Sequence, residues 1–255
     1  MGPNSVRHVD LRLPETISAC LFDLDGVLTE TAVLHAAAWK QAFDELLARR
    51  AGPDGRFVPF DALADYDDFV DGKPRLDGTR AFLRARGIDL PEGSPGDAPG
   101  TDSVYGVANR KNDLVLDLMR QQGVTVYPGS LEFLAEVRRR SMKTAVVSSS
   151  ANTVAVLQAA GLGGVFDALV DGVVAKEAHL SGKPAPDTYL EAARRLHVER
   201  SRAAVFEDAV AGVEAGKAGR FGLVVGVDRV GQAEALLAHG ADVVVADLSE
   251  LLVPG

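Results

Sequence analysis

The stretch ISACLFDLDGVLTE, Ile17 to Glu30, decides how this chain is read: an apolar run leads straight into two carboxylates, Asp23 and Asp25, and then a glycine. A short continuous apolar run fits a parallel strand covered on both faces, and the carboxyl end of such a strand is where an open α/β sheet places its ligands. Residues two apart on a strand share a face, so Asp23 and Asp25 are expected to converge while Leu24 points into packing. Two such carboxylates repel unless a cation or a shared proton relieves them. An EF-hand loop is excluded, because Val27 stands where it needs a third ligand and Leu28 where it needs glycine. A polar strand end with solvated aspartates stays open on this stretch alone.

Working outward, KTAVVSSS (Lys143 to Ser150) is the next strand, and strands and helices then alternate to the C-terminus. DALVDG, AAVFED, GLVVGV and ADVVVAD are four more short apolar runs, with helical patterns such as PDTYLEAARRL and QAEALLAHG between them. This pattern predicts an α/β fold with a doubly wound, Rossmann-like parallel sheet. Residues 32–122 differ, offering amphipathic helices in HAAAWKQAFDELLARR, TRAFLRARG and VYGVANRKNDLVLDLMRQQG without a strand ladder. Residues 1–31 and 123–255 are therefore expected to form a catalytic core. Residues 32–122 would be an inserted helical cap over the carboxyl ends of the sheet, with Trp39 in its packing.

A chain of 255 residues, 47% hydrophobic and 25% charged, has the composition of a soluble globular protein able to bury a substantial core. A formal charge of -9 and a pI near 5.1 argue against a nucleic-acid footprint, yet leave room for a local basic pocket for a small anion. The one cysteine, Cys20, lies in the first apolar run and reads as a small buried hydrophobe. No apolar segment approaches the ~18 residues of a membrane span, and MGPNSVRHVDLRLPE lacks the apolar centre of a signal peptide, so the cytoplasm is the default expectation. LPEGSPGDAPGTDS, Leu90 to Ser103, reads as a loop.

Three further stretches carry chemistry. In VVSSSAN, Ser148 ends a strand, and hydroxyls with backbone N–H groups at a helix start make a phosphate site; capping by Ser149, Ser150 or Asn152 is the alternative. In SGKPAPDTYL, Lys183 precedes two prolines and a helix starting at Asp187, where a held lysine could neutralise a phosphate and a carboxylate together. An exposed lysine at a helix start is the bland reading. In AAVFEDAVAGVEAGKAG, a strand ends in Glu207 and Asp208, which as acidic N-cap residues would also have a structural explanation. Together the four stretches supply the parts for binding one hard cation and one phosphoryl group at a single sheet edge.

DLDGVLTE, SSS, GKPAPD and FEDAVAGVEA, in this order, resemble the haloacid dehalogenase-like phosphotransferase superfamily. Within it, FDLDGVLTETAVLHAAAW, RKND, VYPG, SSSAN and KPAPD are similar to the β-phosphoglucomutase pattern. The resemblance implies Asp23 as nucleophile, forming an aspartyl-phosphate, and Asp25 as acid and base. It implies Mg²⁺ held by Asp23, the Asp25 carbonyl and Asp208, with Glu207 beside it. Ser148, Ser149 and Lys183 would bind the transferring phosphate, and Arg75 the second one. His35 and Lys111 would position the acid/base group, and Thr31 and Asn152 would complete the substrate contacts. Lys73 reads as a solvated loop lysine. The implied reaction interconverts β-D-glucose 1-phosphate and glucose 6-phosphate through β-glucose 1,6-bisphosphate, in a monomer with no nucleic-acid or membrane partner. A sugar-phosphate or phosphoglycolate-type phosphatase is the enzymatic alternative, and a non-catalytic phosphometabolite sensor the distant one. The chain departs from the compact mutase cap in ARRAGPDGRFVPFDALADYDD and LPEGSPGDAPGTDS, which lengthen the insert.

Overall fold

The computed structural model describes residues 9–51 and 56–254. Part of the N-terminal stretch read for a signal segment, and part of the first extra insert segment, lie outside the described residues.

In chain order the elements are β1 (Val9–Leu11), β2 (Ala19–Phe22), α1 (Ala32–Arg50), a π-helical turn (Tyr66–Val70), α2 (Arg75–Ala85), α3 (Val104–Gln122) and α4 (Pro128–Arg139). There follow β3 (Lys143–Val147), α5 (Thr153–Ala159), β4 (Ala168–Val170), α6 (Gly172–Glu177), α7 (Asp187–Leu196) and β5 (Ala203–Glu207). The chain ends with α8 (Val210–Ala218), β6 (Leu223–Val227), α9 (Ala233–Ala238), β7 (Val243–Val245) and β8 (Leu252–Pro254). Six strands form one parallel sheet in the order β4-β3-β2-β5-β6-β7, so all six runs read as strands are found in it. The antiparallel pair β1–β8, three residues each, ties the two ends of the described chain together; it is too short to leave a pattern in the sequence.

From β2 the chain builds outward through β3 and β4 on one side, then returns to place β5, β6 and β7 on the other. The order thus reverses beside β2, and the crevice of such a sheet opens at the carboxyl ends of the strands flanking that reversal. Both faces are covered. Cys20, Phe22, Val146 and Phe206 pack against Phe133, Val137, Val156 and Leu157 on one side; Ala19, Leu21, Ala145 and Val205 pack against Tyr189, Ala192 and Leu196 on the other. This two-sided burial makes the strands read as unbroken apolar runs. Phe22 and Phe206 are register partners on β2 and β5, and their rings stack at 4.8 Å with Phe133 5.2 Å from Phe206.

Between Ala32 and Gln122 there is no strand among the described residues, and α1 lies along α3. This insert has a hydrophobic cluster of its own, with Trp39, Phe43, Phe60 and Phe82 around the Phe43–Phe82 contact at 4.0 Å. Trp39 is in that packing, stacked on Phe43 at 5.0 Å.

Phe206→Ala removes the ring shared by the Phe22 and Phe133 contacts. It is expected to cost about 3–5 kcal/mol in urea unfolding at unchanged m-value; a loss under about 1 kcal/mol would contradict this account of the core.

Candidate active site

β2 stops at Phe22. Asp23 extends the ladder by one bond, its N–H donating to the Phe206 carbonyl at 3.0 Å, and the chain then leaves the sheet. Leu28 N–H donates to the Leu24 carbonyl at 2.9 Å and Gly26 N–H to the Thr29 carbonyl at 2.7 Å. Asp25 therefore stands on a tight turn and not on the strand, which corrects the expectation that the two aspartates share a strand face. Gly26 makes the turn possible: its φ is +90°, and a Cβ there would lie 1.7 Å from Asp208 Oδ2. The turn aims Asp25 at the start of α1, where the Thr31 hydroxyl donates to its carboxylate and His35 Nε2 is 3.6 Å away.

Asp23 meets the end of β5. Carboxylate oxygens of Asp23, Glu207 and Asp208 lie within 4.8 Å of one another, all three residues buried. Gly212 in α8 leaves room for this, since a Cβ there would come within 1.9 Å of the Glu207 carboxyl. Lys183 closes the cluster. Its ammonium donates to Asp23 Oδ1 at 2.5 Å, to Glu207, and to the Val147 carbonyl at 3.4 Å, while Tyr189 donates to Glu207 Oε1 at 2.7 Å. The Lys183 side chain is 1% exposed, so the reading as a surface lysine falls.

Burial raises Asp23 well above the carboxylate range, with Lys183 opposing and Glu207 and Asp25 reinforcing the rise. Asp208 is raised by burial and then by Asp71 and Asp23. Burial alone would lower Lys183, but Asp23 and Glu207 outweigh it and hold its ammonium charged. Three buried carboxylates face one ammonium, and all their free donors are hard oxygens. That set fits a divalent cation of the Mg²⁺ kind. The Asp25 carboxylate is not part of the cluster, being taken by Thr31.

The serine stretch borders the same point. Ser148 follows β3, and its hydroxyl accepts from Ser150 N–H at 3.1 Å. Ser149 donates its hydroxyl to the Gly72 carbonyl at 2.7 Å, and Asn152 donates to Asn112 Oδ1 at 3.0 Å, both reaching the insert. Asn152 precedes α5 without a side-chain cap bond, and the residue before α8 is Ala209, so the capping explanations for Asn152 and for the Glu207–Asp208 pair do not hold.

A second cluster lies in the insert. Lys111 is 2.9 Å from His35 Nδ1 and 4.9 Å from the centre of the Trp39 ring. Arg75 opens α2 with a buried Nε that has no hydrogen-bond partner among the described residues. Burial, then Lys111, brings His35 down to about 4; burial, then Arg75, brings Lys111 down to about 7. Lys73 donates to the Asp68 carbonyl at 2.7 Å. One cavity of about 900 Å³ joins both clusters, with Asp23, Asp25, Ser148 and Asp208 on the sheet side and Arg75 and Lys111 on the insert side. Thr31 and Lys183 stand behind its wall. Tyr66, Asp71, Asn112 and Tyr189 also belong to the site. Asn112 is inside the RKND stretch already quoted, but only contacts distant in sequence reveal its place and that of Asp71.

Residues 17–220 match the family model described as haloacid dehalogenase-like hydrolase. The chain belongs to this family. It is 54% identical over 251 residues, 97% of the chain and 96% of the relative, to a β-phosphoglucomutase of Mycobacterium tuberculosis. It is 31% identical to the β-phosphoglucomutase of Bacillus subtilis, covering 92% of each. A crystal structure of β-phosphoglucomutase from Clostridium difficile superposes with a TM-score of 0.73 at 27% identity, covering 92% of this chain and 93% of that one. The chain is thus a phosphoryl-transfer enzyme of the haloacid dehalogenase-like family.

Lys111 offers a check on the insert cluster. Its pKa falls from 10.5 to about 7 on folding, so between these pH values the unfolded chain binds the extra proton and stability rises with pH. Urea unfolding of the ligand-free protein is expected to show that rise from pH 7 to 10, and Lys111→Met to flatten it; an unchanged slope would refute the assignment.

Proposed function

We propose that the enzyme is a Mg²⁺-dependent β-phosphoglucomutase, interconverting β-D-glucose 1-phosphate and glucose 6-phosphate through bound β-glucose 1,6-bisphosphate and an aspartyl-phosphate on Asp23. What supports this reading is that one cavity has two separate poles of basic and donor side chains, Ser148 on the sheet side with Lys183 behind Asp23, and Arg75 with Lys111 on the insert side. A phosphate monoester needs one such pole. A bisphosphate that must present either end needs both.

An Asp23 carboxylate oxygen forms a bond to phosphorus as the bond from phosphorus to the sugar oxygen breaks, and Asp25 delivers a proton to the departing oxygen. In the reverse sense Asp25 takes the proton from the attacking sugar hydroxyl and the phosphoryl group leaves Asp23. Thr31 holds Asp25 for both directions, with His35 facing it. Ser148, the Ser149 N–H and Asn152 donate to the phosphoryl oxygens, and Lys183 balances Asp23 as charge moves. Asp23, Asp208 and the Asp25 carbonyl, with Glu207 beside them, would hold Mg²⁺, which when bound supplies Lewis-acid neutralisation of the gathered oxygens. Arg75, whose Nε has no hydrogen-bond partner among the described residues, takes the phosphate that is not reacting. Residues 32–122 act as the cap and residues 1–31 and 123–255 as the core, in a cytoplasmic monomer. Among the described residues no helix is long and apolar enough to cross a membrane.

The deciding experiment follows β-glucose 1-phosphate with Mg²⁺ and catalytic glucose 1,6-bisphosphate. Glucose 6-phosphate is the expected product; glucose and inorganic phosphate alone would make the enzyme a phosphatase. Asp23→Asn is expected to lower turnover by at least about 10³-fold, and chelation to abolish it until Mg²⁺ is restored.

Arg75→Ala is expected to reduce mutase flux by about 30-fold or more while hydrolysis of a small monophosphate falls far less. Equal losses would reduce Arg75 to a structural role.

A further inference from the structure

Behind the turn that carries Asp25, and off the cavity wall, lies an arginine to which the reaction gives no part. Arg229 is the second residue after β6, and its side chain is only 14% exposed. Its Nε donates to the Gly26 carbonyl at 2.9 Å and its Nη2 to the Val27 carbonyl at 3.5 Å. Its Nη1 donates to the Ala246 carbonyl at 2.9 Å and to Asp247 Oδ2 at 3.1 Å, and the guanidinium lies 3.5 Å from the centre of the Tyr127 ring. One planar fork thus joins the Asp25 turn, the segment after β7 and the residue before α4.

The carbonyls of that turn are pinned one by one. The Leu24 carbonyl accepts from the N–H groups of Leu28 and Thr29, the Val27 carbonyl from the Ser130 hydroxyl at 2.7 Å, and the Leu28 carbonyl from Tyr127 N–H at 3.0 Å. Gly26 reverses the chain with its φ of +90°, and its carbonyl takes a bond from Arg229. Glycine has no side chain to limit the rotation of its peptide, so this bond from outside the turn sets it. The residue before it is Asp25.

Arg229 is itself held in place. Asp228 Oδ1 accepts from the N–H groups of Val230, Gly231 and Gln232 at 3.2, 2.7 and 2.8 Å, which fixes the loop, and Asp247 Oδ1 accepts from Ser249 N–H at 3.0 Å. From the same loop Gln232 Nε2 donates to the Asp208 carbonyl at 2.8 Å. The Asp208 carboxyl fills the place that a Gly26 side chain would take, so residues 228–232 back both of the turns that meet there.

A buried ion pair is weak evidence for stability, since apolar residues of similar size often serve as well. What the guanidinium adds is direction. We propose that Arg229 is a positioning residue for phosphoryl transfer: by fixing the Gly26 peptide it aims Asp25 from the backbone side, as Thr31 does at the carboxylate. The inference rests on the reading of Asp25 as the acid that serves Asp23, and it holds for any sugar. In that step a bond forms from Asp23 to phosphorus, the bond from phosphorus to the departing oxygen breaks, and the Asp25 proton passes to that oxygen. A misaligned Asp25 impairs the proton transfer alone. A leaving group that is stable as an anion needs no proton, so its departure is spared.

The test follows single-turnover phosphoryl transfer to the full-length enzyme with Mg²⁺ from three donors: β-glucose 1,6-bisphosphate, phenyl phosphate and p-nitrophenyl phosphate. The first two release oxygens that need a proton, whereas p-nitrophenolate leaves without one. Arg229→Ala is expected to slow the first two by about 10²-fold and p-nitrophenyl phosphate by less than about 3-fold. The donor concentration giving half the maximal rate should change by less than about 3-fold for each, since the residue touches no substrate. Arg229→Lys keeps the charge but presents one donor point in place of a fork, and should fall between. It carries the same comparison if circular dichroism shows the alanine variant unfolded. Equal slowing with all three donors would make Arg229 a general structural support and overturn the inference, as would unchanged transfer from phenyl phosphate. A wild type that uses the aryl esters but not the bisphosphate would overturn the proposed mutase, and the aryl pair, which contains no sugar, would still decide the inference. A wild type that accepts a phosphoryl group from none of the three would overturn both.

Discussion

The ammonium of Lys183, lodged between Asp23 and Glu207 and touching the Val147 carbonyl, is the interaction on which the rest of the site depends. It joins the carboxyl ends of β2, β3 and β5, three adjacent strands of the sheet. Without a positive charge there, Asp23, Glu207 and Asp208 would gather in a buried place with nothing to offset their repulsion. Removing one member of a buried pair typically costs about 3–5 kcal/mol, because the partner keeps its desolvation penalty. The fold accommodates the cluster through small residues. Gly26 and Gly212 leave the space that the Asp208 and Glu207 carboxyls fill, so the glycines of DLDG and AVAGVEAG are packing requirements of the charges beside them.

How far the sequence could be read follows from which forces are local. Two-sided burial writes itself into six consecutive apolar runs, and each is a strand of the sheet. Ser148, Lys183, Glu207 and Asp208 were legible because each stands at or just beyond the end of a strand, or before a helix, in a sheet of known direction. Asp25 was misplaced because strand periodicity was carried one turn too far; the left-handed Gly26 ends it. Tyr66 and Asp71 were not legible. A π-helical turn has no common periodicity, and its acidic residues look like a solvated loop until the packing of Gly72 on Ala209 is known. The bonds from Ser149 to Gly72 and from Asn152 to Asn112 also link residues far apart in the chain, so hydroxyl and amide groups that looked like helix caps turned out to hold the insert against the sheet.

The distribution of charge across that contact explains why such groups are used. Lys183 and its carboxylates belong to the sheet side, while Arg75, Lys111 and His35 belong to the insert. The side-chain bonds of Ser149 and Asn152 to the insert are neutral, each worth about 1 kcal/mol net. Breaking them separates no buried ion pair, so access to the cavity costs far less than disruption of either cluster. The exception is Asp25. Its turn belongs to the sheet, but its carboxylate is held by Thr31 and faced by His35, at the beginning of α1, and His35 in turn contacts Lys111 of α3. Asp25 is therefore aligned at the start of α1, which through His35 also touches Lys111 of α3 in the insert's basic cluster. A shift of α1 against α3 that disturbs that cluster also moves the groups around Asp25, so in the proposed reaction the seating of the distant phosphate and the readiness of the acid are coupled.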